Sequence, residues 1–150
     1  MSTIEQNLIG NTAGLTRGEK ILRYAFLTLL IGSIAYSIGG TFFGKDNRLI
    51  DYSVAESALL LASLAPGYSR RIPGARRALR ACEWVVMGAA LVSTAAVIAG
   101  DVMDHGVRPA PYNMPWNVAM CTTLAALCFF TILLVSKERA RRRGQMPPAR

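Results

Sequence analysis

The chain has 150 residues, 52% of them apolar and only 17% charged, with a net charge of +8. A soluble chain of this length carries about a quarter charged residues, and a disordered one lacks the apolar content. Three cysteines without framework spacing exclude a disulfide-stapled secreted domain, and a single histidine, His105, excludes a haem held by two histidines within the chain.

In chain order, residues 1–23 read as a short arm ending in Arg17, Lys20 and Arg23. Ile4, Leu8 and Ile9 fall on one side of it, which suits either a helix lying on a membrane surface or an unstructured arm. Thr16 and Glu19 form a Thr-x-x-Glu capping box that predicts a helix start. Residues 24–43 then run for twenty positions without a charge, the length needed to cross a hydrocarbon layer ~30 Å thick at ~1.5 Å per residue. That run is too long for a signal peptide and no Ala-x-Ala site follows, so no cleavage is expected. No lipidation box is found at either end.

The second apolar segment, residues 53–68, is weaker. It contains Glu56 and soon meets Pro66-Gly67. Sixteen residues give ~24 Å of helix, so the bilayer must thin there or neighbouring helices must shelter it. A basic loop over 69–83 carries Arg70, Arg71, Arg76, Arg77 and Arg80, with a short helix expected over 75–80 after Pro73-Gly74. Residues 84–100 and 116–135 are two further charge-free spans. Between them lies a loop with Arg108 and three prolines, and Pro115 after Asn113 marks the next helix start. Residues 136–150 form a basic tail with Arg139, Arg141, Arg142 and Arg143. Tyr24, Phe42, Phe43, Tyr52, Tyr68, Trp84, Tyr112 and Trp116 fall at the span ends, the depth aromatic residues favour. Tyr36, in the middle of the first span, is the exception.

Fourteen of the seventeen lysines and arginines lie in the arm, the 69–83 loop and the tail. By the positive-inside rule these segments are cytoplasmic. The expected fold is therefore all-α. It is a polytopic membrane protein, one integral domain with four transmembrane helices packed as two helical hairpins and both termini cytoplasmic. Arginines outnumber lysines 14 to 3, which suits a GC-rich bacterial gene and makes a bacterial inner membrane the expected location. Arg23 to Gly44 and Arg80 to Gly100 also share a weak pattern at an offset near 57 residues; a duplicated hairpin would give such a pattern, but the identities are too few to establish one.

Glu56 carries two readings. Ser53 and Glu56 form a second Ser-x-x-Glu box, which would place Glu56 at a helix start as a cap. An acid inside a span would instead be an ion or proton site, with Tyr36, Thr41, Ser93 or Thr94 as partners; Glu56 and Tyr36 are thus the transport candidates. Glu83, one helical turn after Arg80, suits an interface ion pair. Asp101, Asp104 and His105 have helical spacing, but Gly100 and Gly106 argue that the helix ends there, and no metal site is expected. Cys82, Cys121 and Cys128 are expected to pack as small apolar residues; the last two are too far apart along one helix for a disulfide. Small residues at fourfold spacing predict close helix approach within the bundle or against a second chain: Ala35, Gly39, Gly40 and Gly44 on the first span, and Ala89/Ser93, Ala95/Ala99 and Ala96/Gly100 on the third. The arginines at 70, 71, 76, 77, 80, 139, 141, 142 and 143 form a surface for anionic lipid headgroups or an acidic partner. No base-stacking aromatic interleaves them, so nucleic acid is not expected.

The chain offers no nucleophile–base pair and no phosphate loop, so neither an enzyme nor a cofactor is expected. The expected function is a structural or accessory subunit of a larger inner-membrane assembly, such as a secretion, conjugation or respiratory machine, with protein partners in the membrane. The alternatives are a small ion or solute transporter or channel acting as a homo-oligomer, resting on Glu56, Tyr36 and Gly39-Gly40, and a hole-forming lysis protein.

Overall fold

The computed structural model describes residues 14–43, 48–72, 76–103 and 114–144. Among them it is all-helical. Helix α1 is Arg17–Phe43, α2 is Arg48–Leu64, a 3-10 turn covers Ser69–Arg71, α3 is Arg76–Met103 and α4 is Met114–Arg142. Helices α1, α3 and α4, of 27, 28 and 29 residues, are long and apolar enough to cross a membrane. Helix α2, with 17 residues, is shorter and apolar over Tyr52–Leu64.

The short helix is the hub. Helix α2 packs against each of the other three, whereas α1 packs chiefly against α2, and α3 and α4 form the second hairpin. Of the two solutions expected for so short a span, the fold supplies shelter by neighbours. The reason lies in the side chains: Ala55, Ala58, Ala62 and Ala65 are fully buried together with Leu59. Alanine at helical spacing lets three neighbouring backbones approach α2 closely, and close packing rather than the hydrophobic effect drives helix association in lipid.

The α3–α4 hairpin is knit by a regular repeat. Ala119, Ala126, Leu133 and Ala140 recur every seventh residue on α4 and are all buried, with Phe130 between them. On α3 the buried line runs Val86, Ala90, Ser93, Val97, Gly100. Seven-residue spacing keeps one face of each helix against the other along the whole contact. At Gly100 an added Cβ would come to 3.4 Å from Pro115 Cβ, an ordinary contact, and Ala96 is buried on the same helix. The Ala95/Ala99 stripe does not form a packing face within the chain, since Ala95 is exposed. Gly39 makes no close approach within the chain, because a Cβ there would meet nothing within 4 Å. Gly44 lies outside the described residues.

The remaining large apolar side chains point outward. Ile31, Phe43, Val102 and Leu124 are among many exposed ones distributed over all three long helices. A soluble monomer rarely exposes contiguous apolar patches beyond a few hundred Å2, whereas lipid accepts such a surface. Cys121 and Cys128 share this outward side, so they do not pack in the core as expected; Cys82 is half-buried.

Candidate functional site

The bundle has two chemically distinct ends. At the basic end the start of α1, the turn after α2, the start of α3 and the end of α4 meet. The expected capping box is formed: Thr16 N donates to Glu19 Oε2 at 2.8 Å and Glu19 N donates to Thr16 Oγ1 at 3.4 Å. The other oxygen, Glu19 Oε1, pairs with Arg70 Nε at 2.8 Å. Glu83 is buried and accepts the backbone N–H of Ser69, in place of the exposed ion pair with Arg80 expected from its spacing. Lys137 lies 5.0 Å above the Tyr68 ring, which in turn packs against Phe130 at 5.8 Å. Each flanking helix thus holds the 65–72 turn by one polar contact. Between them lies a cavity of about 220 Å3, lined in part by Glu19, Arg70, Arg80, Glu83 and Trp84. Two acids and two bases balance its charge, and no further chemistry is required of them.

Arg77, Arg80, Arg139, Arg141, Arg142 and Arg143 are exposed at this end, and Arg142 also pairs with Glu138 at 3.0 Å. The side chains of Arg71 and Arg76 lie outside the described residues. The basic helix expected over 75–80 is continuous with the span, since α3 runs unbroken from Arg76.

The polar groups that carry chemistry lie elsewhere, on the seam between α1 and α2. Glu56 is not a cap: α2 begins at Arg48, so Glu56 is its ninth residue, with about 12 Å of helix on either side. Its Oε1 accepts hydrogen bonds from Ser37 Oγ at 2.9 Å and from Ser33 Oγ at 3.3 Å. Ser33 stands near the middle of the charge-free 24–43 segment. None of the four expected partners is the one found. Thr41 and Thr94 bond to carbonyls of their own helices, Ser37 O and Ala90 O, and Ser93 joins Thr123 at 2.9 Å. Thr123 in turn donates to Val54 O at 3.2 Å, which ties α3, α4 and α2 together.

One turn from Glu56, toward the far end, stands Tyr52. Its hydroxyl donates to Asp101 Oδ2 at 3.2 Å, and so does that of Tyr36. The two rings lie 5.3 Å apart at 59°. Asp101, expected to be a loop acid, belongs to α3 and closes this cluster; Asp104 and His105 lie outside the described residues. Tyr36, the aromatic out of place in the first span, thus has a partner from each of two helices. Sequence reasoning missed Ser33 and Ser37. The available signal was their spacing: Ser33, Tyr36, Ser37 and Gly40 share one face of a helix whose other positions are apolar.

The Glu56 site suits both states of a carboxyl group. Ser37 Oγ also lies 3.0 Å from Ile34 O. A hydroxyl has one proton and two lone pairs. With Glu56 ionised, Ser37 donates to it, a charge-assisted bond; with Glu56 protonated, Ser37 can turn its proton to Ile34 O and accept from the acid. Comparison with protein-family models, with curated proteins and with solved structures finds no match.

Proposed function

We propose that this chain is a small, non-enzymatic membrane transport protein for protons or small cations, with Glu56 as the group that carries the charge. The observation behind this reading is the carboxyl at mid-helix on the α1–α2 seam, hydrogen-bonded by Ser33 and Ser37. An acid within a span is costly, and its retention with dedicated partners marks ion and proton pathways. The test is flux into liposomes holding the purified protein, with a pH-sensitive dye inside and a potassium diffusion potential imposed. Wild type takes up charge. Glu56→Gln, which keeps shape and hydrogen bonding but not the titratable proton, falls to the level of empty vesicles while its helical spectrum is unchanged. Ser37→Ala lowers the flux without abolishing it, since one donor remains. Flux unchanged in Glu56→Gln rejects the reading.

A second reading, a subunit of a larger bacterial inner-membrane assembly, is favoured by the outward side of α1. Ala25, Thr28, Gly32, Ala35 and Gly39 alternate at three- and four-residue steps there, and at Gly32 and Gly39 an added Cβ would meet nothing in the chain. The mass of the complex purified in mild detergent separates the two. Stoichiometric foreign subunits support the assembly, and a homo-oligomer with nothing else bound supports a self-contained transporter.

A further inference from the structure

We propose that the ligand of Glu56 is a proton, and that it reaches Glu56 only from the Asp101 end of the bundle, by way of Tyr36 and Tyr52. This deepens the transport reading and rests on it for the role of Glu56.

The ligand follows from the donor set. The site brings together one carboxylate oxygen and two serine hydroxyls, both within donating distance of that oxygen. A bound Ca2+ would call for six to eight oxygens and Mg2+ for an octahedron. A proton needs one lone pair and a partner able to reverse its own hydrogen bond, and Ser37, placed between Glu56 and Ile34 O, supplies that reversal.

The direction follows from what surrounds Glu56 on each side. Toward the far end, Asp101 Oδ2 accepts from both tyrosine hydroxyls. A proton taken up by Asp101 has two hydroxyl oxygens against it; each can accept that proton while releasing its own onward. Tyr52 and Glu56 are one turn apart on α2, about 6 Å of rise, a gap on the scale that a bridging water closes. Toward the basic end the same seam is apolar as far as Arg23, which is buried on α1 one turn beyond Phe26. Phe26, Leu59, Ala62 and Ala65 are buried there, with Leu22 and Leu30 packed against them. The one buried hydroxyl on α2 in that half, Ser63, bonds to Leu60 O of its own helix. The groups that bear on Glu56 are few. Helix α1 has no charged residue between Arg23 and its end, α3 has none between Glu83 and Asp101, and α4 has none before Lys137. Helix α2 itself carries Arg48 and Asp51 ahead of Tyr52; among the described side chains, Asp101, bonded to both Tyr36 and Tyr52, is the carboxyl placed to pass a proton to the Glu56 site.

The experiment uses the whole protein in unilamellar vesicles, its orientation read from tryptic removal of the tail. N,N'-dicyclohexylcarbodiimide, a lipid-soluble reagent that couples to protonated carboxyls, is added while the pH on each side is set independently. The adduct on the Glu56 peptide is followed by mass spectrometry. The expected result is a labelling rate that falls as pH rises on the Asp101 side, by up to about tenfold per unit, the limit for one proton. It does not respond to pH on the basic side. In Tyr36→Phe with Tyr52→Phe, which keeps both rings and removes both hydroxyls, the response to a pH jump on the Asp101 side lags behind wild type. Labelling that follows the basic side, follows both sides equally, or ignores both, complete absence of label included, overturns the proposal; so does a double variant that responds as fast as wild type. Labelling as expected in vesicles that pass no charge leaves one-sided access standing and removes the transport reading instead.

Discussion

Thr16-x-x-Glu19 and Ser53-x-x-Glu56 are the same local pattern with opposite fates. The first caps α1 because the chain breaks just before it: Gly14 has φ +95°, outside the helical region. The second lies five residues into α2, with helix already running, so there are no free N–H groups for it to cap, and Glu56 instead accepts from Ser33 and Ser37 of α1. A capping box is legible only together with a helix start at its first residue, and here the helix already runs from Arg48. Glycine separates in the same way according to backbone. Gly67 has φ +79°, and a Cβ there would collide with Leu15 Cδ2. Gly67→Ala is expected to cost about 1–2 kcal/mol from the left-handed backbone alone, with more from displacing Leu15, and to lower the midpoint of thermal unfolding in detergent. Gly39→Ala, in open helix, is expected to raise stability by up to about 1 kcal/mol. Equal effects at the two sites would mean that neither the turn nor the helix is as described.

Helix α2 carries the lesson at the level of elements. Its sequence announces a weak span, short and interrupted by an acid, and isolated from context those features argue against a membrane helix at all. They become consistent when α2 is central. A helix touched on three sides needs small side chains more than length, and an acid on its α1 face meets serines rather than lipid. Periodicity reveals the alanines but not which helices they face, since that depends on contacts between distant segments; hence Asp101, 49 residues from Tyr52, was unreadable as its partner. The packing claim has a direct check. Ala62→Leu adds volume at a fully buried position and is expected to cost about 1–3 kcal/mol. Leu60→Ala, at an exposed position of the same helix, is expected to change stability by no more than about 0.5 kcal/mol. Thermal unfolding of both variants in the same detergent settles it; a tolerant Ala62 would place α2 at the periphery.

For the whole molecule, the decisive asymmetry is between the two ends. The start of α1 and the end of α4 both touch the 65–72 turn, through Glu19–Arg70 and Lys137–Tyr68, so they lie at one end of the bundle, the end that holds most of the arginines. We infer that this end is cytoplasmic, since basic residues resist translocation. On that inference the Asp101 end of the seam is the external one. Charge distribution and polar route are independent features, one read from loops and the other from side chains within the bundle, and together they lead us to propose that Glu56 exchanges its proton with the external solution. Alkaline phosphatase, active only outside the cytoplasm, tests the first half. Fused after the tail it is expected to be inactive, and inserted between residues 104 and 113 active. The reverse pattern would turn the bundle over and make the cytoplasm the source of the proton, while leaving the one-sided route within the protein intact.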